Sequence, residues 1–284
     1  MRILERTIPL RSYLADHRFL GRAVLPGVEA LQLLAGEVKR EWDLNVLQAD
    51  KAEFLKFLAL PRRPTADVMV EMEERGERVL ARLCSRVCSK NGAMFRKLEH
   101  VRAVFGPGED VPALSADLSG PPRGAAFSIR PEVIYREAVP FGPAFRNIVG
   151  PALLTADGAL ALVHAREIES LPGPLGSPFP LDGAFHLACL WGMRFHGLVG
   201  FPVGFCRRRV FRLTEAGRSY QARISAGRSG GDELLFDLRL FDERGRILET
   251  TEGLRMKGVG GGRLKPPNWL ILEKDGAHQA GYEY

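Results

Sequence analysis

The sequence predicts an α+β chain of two similar units, each a long helix wrapped by antiparallel sheet. Three observations carry this expectation. Apolar residues recur at helical spacing from Val28, and again, nearly all round the helix, from about Ser177. Each helix is followed by segments with the period of two that marks half-buried strands. A stretch rich in Pro, Gly and small polar residues, 106–126, lies between the two sets and reads as a linker.

In the first half, VEALQLLAGEVKREW places Leu31, Leu34, Val38 and Trp42 on one helical face, with Ala35 beside them. Pro26-Gly27 precedes this helix, and Glu29 in its first turn suits the helix dipole. The segments VLQADKAEFLKFLALP, TADVMVEMEERGERVLARLCSRV and AMFRKLEHVRAVFG read as strands, with hairpin turns at ERGER and KNGAM. Beyond the linker, VIYREAVPFGPAF and ALALVHAREI read as extended. A second helix then starts near SPFPLDGAFHLACLWGMRFHG, with Phe185, Leu187, Ala188, Leu190, Trp191, Met193 and Phe195 making it a buried helix. VGFCRRRVFRL, SYQARISAG and ELLFDLRLFDERGRILETTEGLRMKGV complete the set of strands. The expected boundaries are 1–105 and 127–260 for the two units, with a tail of unassigned role at 261–284.

Composition narrows the function. Apolar content of 45% and charged content of 26% are those of a globular protein. No apolar run approaches a membrane span, and MRILERTIPLRSYL carries too much charge for a signal peptide, so a cytoplasmic location is expected. Cys84 and Cys88, four residues apart on a strand, would sit about 13 Å from each other, too far for a disulfide. Cys189 and Cys206 lack metal-ligand spacing, so reduced thiols are expected. The net charge of +6 is modest. Its densest cluster, Arg207–Arg209, reads as a charged strand edge, and without interleaved stacking aromatics it speaks against nucleic acid. A mildly basic surface suits an acidic protein partner. No compact ligand set suggests a metal, and neither a phosphate loop nor a GxSxG elbow is present.

The stretch HRFLGRAVLPG puts an ionisable imidazole, His17, on a short loop aimed at the start of the first helix. HRFLGRAVLP fits the HxxxGxxxxP motif of polyketide synthase dehydratase domains, with His17, Gly21 and Pro26 in the motif positions. FGPAF resembles the YGPxF motif of that family, with Phe141, Gly142 and Pro143 in place. LDGAFH carries Asp182 and His186 at the positions of its DxxxQ/H motif, and FPVGFCRRRV echoes its LPFxW segment. The ordered set covers most of the chain up to about residue 257.

The resemblance implies a double hotdog fold and removal of water from a 3-hydroxyacyl thioester on acyl carrier protein, giving a 2-enoyl thioester. It implies no cofactor, and it suggests a homodimer. Elimination needs a base for the α-proton and an acid for the β-hydroxyl. His17 suits the first role because a neutral imidazole is available at working pH. Asp182 is the candidate acid, where the helix dipole lowers its pKa and burial raises it, and acid catalysis requires burial to prevail. The backbone at Gly27 offers amide donors for the enolate oxygen. His186, one turn beyond Asp182, could hold the carboxyl or the leaving hydroxyl.

Three departures are visible. Phe141 replaces the usual tyrosine, Gln32 stands where many members carry glutamate, and FPVGF lacks the tryptophan. They point to a divergent branch and keep two other readings open: a double-bond isomerase using the same histidine, and a non-catalytic acyl-binding or scaffolding module. His100, His164 and His196 sit within strand or helix patterns without evident partners and read as structural or surface residues.

Overall fold

A computed structural model describes residues 1–88, 95–108, 124, 126–168, 173–227, 232–258 and 264–271. The first half runs β1 (Arg2–Pro9), β2 (Arg18–Phe19), β3 (Arg22–Ala23), α1 (Gly27–Trp42), β4 (Gln48–Phe54), β5 (Thr65–Arg75), β6 (Arg78–Cys88) and β7 (Phe95–Gly106). The second runs β8 (Phe127–Ile129), α2 (Pro131–Val133), β9 (Ala152–Thr155), β10 (Gly158–His164), α3 (Phe179–His196), β11 (Gly200–Val210), β12 (Ser219–Ala226), β13 (Glu233–Phe241) and β14 (Ile247–Gly258).

Twelve of the strands form one sheet in the order β1-β5-β6-β7-β4-β11-β14-β13-β12-β10-β9-β8. Read toward the middle, β1-β5-β6-β7-β4 and β10-β12-β13-β14-β11 have the same connectivity, one strand before the helix and then four after it, with β9 and β8 extending the second set beyond β10. The topology therefore repeats, as the two similar patterns in the sequence require. The repeats meet where β4 and β11 pair antiparallel, from Gly204 opposite Glu53 to Arg209 opposite Gln48.

Each half-sheet curls around its own helix. Leu31, Leu34, Ala35 and Val38 of α1 are fully buried against β4–β7 residues such as Ala49, Leu83 and Phe105. All of Phe179–Met193 in α3 is buried, as a helix apolar on every side demands. Pro178 and Pro180 open α3 where backbone N–H groups have no helical partner, so their missing donors cost nothing.

Four expectations change. The 133–145 segment is helical where an extended course was expected, a turn of α2 running into a π turn (Ile134–Ala138) and then a 3-10 turn (Pro143–Phe145). Ile134, Tyr135 and Ala138 are the buried residues of the π turn, spaced as one helical face, which the strand reading overlooked. Arg207–Arg209 do not line an edge, because β11 lies between β4 and β14. Arg208 is 1% exposed and grips Glu249 with two bonds of 2.9 and 2.8 Å. Glu29 is not simply a dipole partner, since its carboxyl accepts from the Tyr13 hydroxyl at 2.7 Å and burial holds its pKa up. His100, His164 and His196 all have neighbours: Ser85 and the Lys56 carbonyl, Ser219, and the Trp191 ring.

The KNGAM turn, most of the 106–126 linker, the Cys88 side chain and much of the 261–284 tail lie outside the described residues. Among the described residues, Cys84 and Cys189 are buried free thiols and Cys206 an exposed one. No described helix is long and apolar enough to cross a membrane.

The buried Arg208–Glu249 pair ties β11 to β14 beside the central seam. Glu249→Ala strands a guanidinium in the core, and urea unfolding should show a loss of about 3–5 kcal/mol. Adding Arg208→Met removes the stranded charge and should return much of that loss; equal costs for the single and double variants would contradict this account.

Candidate active site

His17 closes a 3-10 turn (Ser12–Asp16), and its imidazole is fixed by the backbone that follows. Its Nδ1 lies 3.0 Å from the Val24 carbonyl, while Val24 N–H donates to the His17 carbonyl at 3.0 Å. A carbonyl only accepts, so Nδ1 carries the proton and Nε2 keeps its lone pair. Burial lowers the ring pKa to about 4, against a smaller upward effect of the Val24 bond, which leaves the imidazole neutral near neutral pH.

Asp182 stands in the first turn of α3 and is 5% exposed. Burial is the largest influence on it, pushing the carboxyl up to about 8; the Asn147 Nδ2–H bond at 2.9 Å works the other way, and the Glu29 carboxylate adds to the rise. The contest between dipole and desolvation thus goes to desolvation. No lysine or arginine forms an ion pair with the carboxyl among the described residues. His186 Nε2 lies 3.2 Å from Asp182 Oδ2 but is not aligned as a hydrogen bond. Burial, with a smaller contribution from His17, depresses the His186 ring to about 3, so it too is neutral.

Tyr135 is the hydrogen-bonding neighbour of His186. Its hydroxyl accepts the Ile148 N–H at 2.7 Å and lies 3.3 Å from His186 Nδ1. When the phenol gives its proton to Nδ1, the ring hydrogen sits on Nε2, on the Asp182 side.

The FGPAF stretch joins the two halves. Phe141 stacks on His17 with centroids 4.6 Å apart and planes at 16°, and its ring also lies 5.1 Å from that of His186. The Phe145 ring lies 5.0 Å from that of His17 and 6.0 Å from that of Tyr13, both tilted. Asp16 anchors the turn: its carbonyl accepts Gly142 N–H and its Oδ2 accepts Ala144 N–H, both at 2.9 Å. A Cβ on Gly142 would overlap the Asp16 carboxyl, so this position has no room for a side chain.

One cavity of about 410 Å³ brings the groups together, with His17, Gly27, Phe141, Asp182, Phe185 and His186 all in its wall. Gly21, Pro26, Gly142 and Pro143 do not line it. Gly21 is the tip of the β2–β3 turn, where Leu20 and Gly21 both have positive φ (46° and 78°). Pro26 is the N-cap of α1, and Gly142-Pro143 holds the clamp on His17. Gln32 straps a distant loop, donating to the Gly176 carbonyl and accepting from Leu175 N–H. Sequence reasoning missed Asp16, Tyr135, Phe145 and Asn147. Asp16 and Asn147 flank recognised motifs, yet nothing in the local pattern says that their side chains reach across the chain.

Comparison with known proteins follows the same line. A family model described as the polyketide synthase dehydratase N-terminal domain matches residues 115–266. Polyketide synthase ThaG of Burkholderia thailandensis is 28% identical over 258 residues, covering 88% of this chain and 4% of that protein. The chain therefore spans a small fraction of the curated relative's length. Among solved structures, the dehydratase domain of the CurJ module of curacin polyketide synthase superposes with a TM-score of 0.73 at 16% identity, covering 90% of each chain. A trans-AT polyketide synthase dehydratase domain from Brevibacillus brevis gives 0.71 at 18% identity over 91% of this chain and 94% of that one. The bifunctional dehydratase-cyclase domain of ambruticin biosynthesis gives 0.68 at 20% identity, over 90% and 89%. The common fold is the double hotdog.

The Asp16 anchor makes Gly142 a sensitive position. Gly142→Ala should destabilise the protein by about 1–3 kcal/mol, as overpacking does. It should also free the His17 ring, seen as narrowing of the histidine proton resonances; a ring held as in the parent would argue against the clamp.

Proposed function

The chain belongs to the polyketide synthase dehydratase family, and from that premise we propose that it removes water from a 3-hydroxyacyl thioester carried on acyl carrier protein. His17 is the base and Asp182 the acid. The observation that carries this reading is one cavity lined by an imidazole with a free Nε2 lone pair and by a buried carboxyl with no cationic partner among the described residues.

The α-proton of a thioester is weakly acidic, so the base must be neutral and held in place. Val24 fixes the His17 tautomer, while Phe141 and Phe145 restrict the ring to one plane. Hydroxide leaves poorly, so the β-hydroxyl takes a proton from Asp182 as the C–O bond breaks. The electron pair of the α C–H bond becomes the new double bond, and one water departs. His186 Nε2–H, beside the same carboxyl oxygen, is suited to steady the departing oxygen. The enolate oxygen that develops on the thioester suits the backbone N–H groups opening α1, where Pro26 supplies no side-chain cap and Gly27 lines the cavity. Each positioned proton-transfer group contributes roughly 10²–10⁴-fold in rate.

Arg18, Lys56 and Lys265 also border the cavity and suit the phosphate of a carrier-borne arm, in keeping with the net charge of +6. The two repeats, 1–105 and 127–260, supply the base and the acid respectively, so neither half is catalytic by itself.

The paired protonation states define a pH window. Activity needs His17 neutral, so it rises as pH climbs through about 4; it needs Asp182 protonated, so it falls as pH climbs through about 8. A bell-shaped kcat/KM profile with those limbs is expected, and a profile flat between pH 3 and 9 would contradict the assignment. With a 3-hydroxyacyl carrier thioester, mass spectrometry should show loss of one water, abolished by His17→Ala or Asp182→Asn. With a 2-enoyl carrier thioester as substrate, a product of unchanged mass with a moved double bond would indicate an isomerase instead. Binding without conversion in either direction would indicate a scaffolding module.

A further inference from the structure

Among the described residues, Asn147 is the one side chain that the Asp182 carboxyl meets in an aligned hydrogen bond, and it is completely buried. Its Nδ2 donates to Asp182 Oδ2 at 2.9 Å, while its Oδ1, buried as well, has no hydrogen-bond partner among the described residues. The residue is held from both sides. His164 N–H donates to its carbonyl at 2.8 Å, and a Cβ on Gly183 would press on its Cβ at 3.2 Å, so the first turn of α3 sits directly against it.

A buried amide normally bonds through both arms, and those bonds fix which way it faces. With one arm unpartnered, turning the Asn147 amide over sacrifices no other bond. The carboxylate can only accept, whereas the neutral acid has a proton to give. We infer that Asn147 is the positioning residue of the acid, donating Nδ2–H to the Asp182 carboxylate and turning over to offer Oδ1 to the protonated carboxyl. The carboxyl oxygen next to His186 is thereby kept in one place through both halves of the proton cycle.

Other charged and titratable groups surround the pair but do not replace this contact. His186 approaches from α3 itself, His17 from the loop before α1, and Glu29 from α1. Tyr135 approaches from the 134–138 turn, with Arg166 beyond it. The histidines are neutral and Glu29 repels the carboxylate, so among the described residues only Asn147 gives it a bonded donor.

The inference deepens the dehydratase reading and rests on it for kinetics alone. Asn147→Leu, similar in shape and unable to hydrogen-bond, should lower kcat on the order of 10- to 100-fold through misplacement of the acid, with KM within about twofold. Asn147→Ser keeps a group that both donates and accepts, and should recover part of the rate. Independently of turnover, carbon-13 resonances assign the Asp182 carboxyl by their loss in Asp182→Asn. Its titration should move up by about one pH unit in Asn147→Leu, since a charge-assisted bond to the ionised form is lost. The Asn147 side-chain amide signals of the parent protein should move with that same titration. An unmoved carboxyl titration in both variants would overturn the proposal, and so would amide signals indifferent to Asp182. An inactive parent protein with shifted titrations would uphold the role of Asn147 and overturn the dehydratase reading.

Discussion

Desolvation of two ionisable side chains in a shared apolar cavity is the constraint on which this site depends. In water, His17 would titrate close to neutrality and Asp182 would be fully ionised. Desolvated together without an ion-pairing cation among the described residues, both favour their uncharged forms, and both of those forms are the ones an elimination requires. An arginine beside Asp182 would stabilise the carboxylate and remove the acid; a carboxylate beside His17 would hold the ring protonated and remove the base. The surroundings of the site are accordingly aromatic and neutral, with charge kept to the cavity border.

Such an arrangement is costly to fold unless each of the three side chains has at least one hydrogen-bonding neighbour. The carbonyl of Val24, the hydroxyl of Tyr135 and the amide of Asn147 fulfil that need for His17, His186 and Asp182. None of the three carries a charge, so they fix geometry without reversing the pKa shifts that burial produces. The nearby Tyr13–Glu29 bond follows the same rule, a half-buried carboxyl satisfied by a neutral donor.

The two topological repeats have diverged in what they contribute. The first places His17 on a loop before its helix, and the second places Asp182 inside the first turn of its own. Antiparallel pairing of β4 with β11 joins the two half-sheets into one. The 141–147 segment then fastens the site itself: Asp16 holds its turn, two phenylalanines flank His17, and Asn147 reaches Asp182. Phe141 stacks face to face on His17, so the ring that stands in the usual tyrosine position is a packing partner of the imidazole.

Local pattern was enough for most of the fold, because period and burial are coupled within a helix or strand. α1, α3 and the principal strands follow their apolar spacing, and the ordered motifs around His17, Phe141 and Asp182 pointed to the family. The 133–145 segment misled because a single turn with three buried residues is too short to reveal its period. Arg208 misled because charge predicts exposure until a partner such as Glu249, forty-one positions away, is known. The amino-acid sequence by itself determined which groups could act as acid and base and which elements would carry them. Only the tertiary structure decided their protonation and their partners, since desolvation and hydrogen bonding arise from what packs around a side chain, and residues distant in the chain supply that packing.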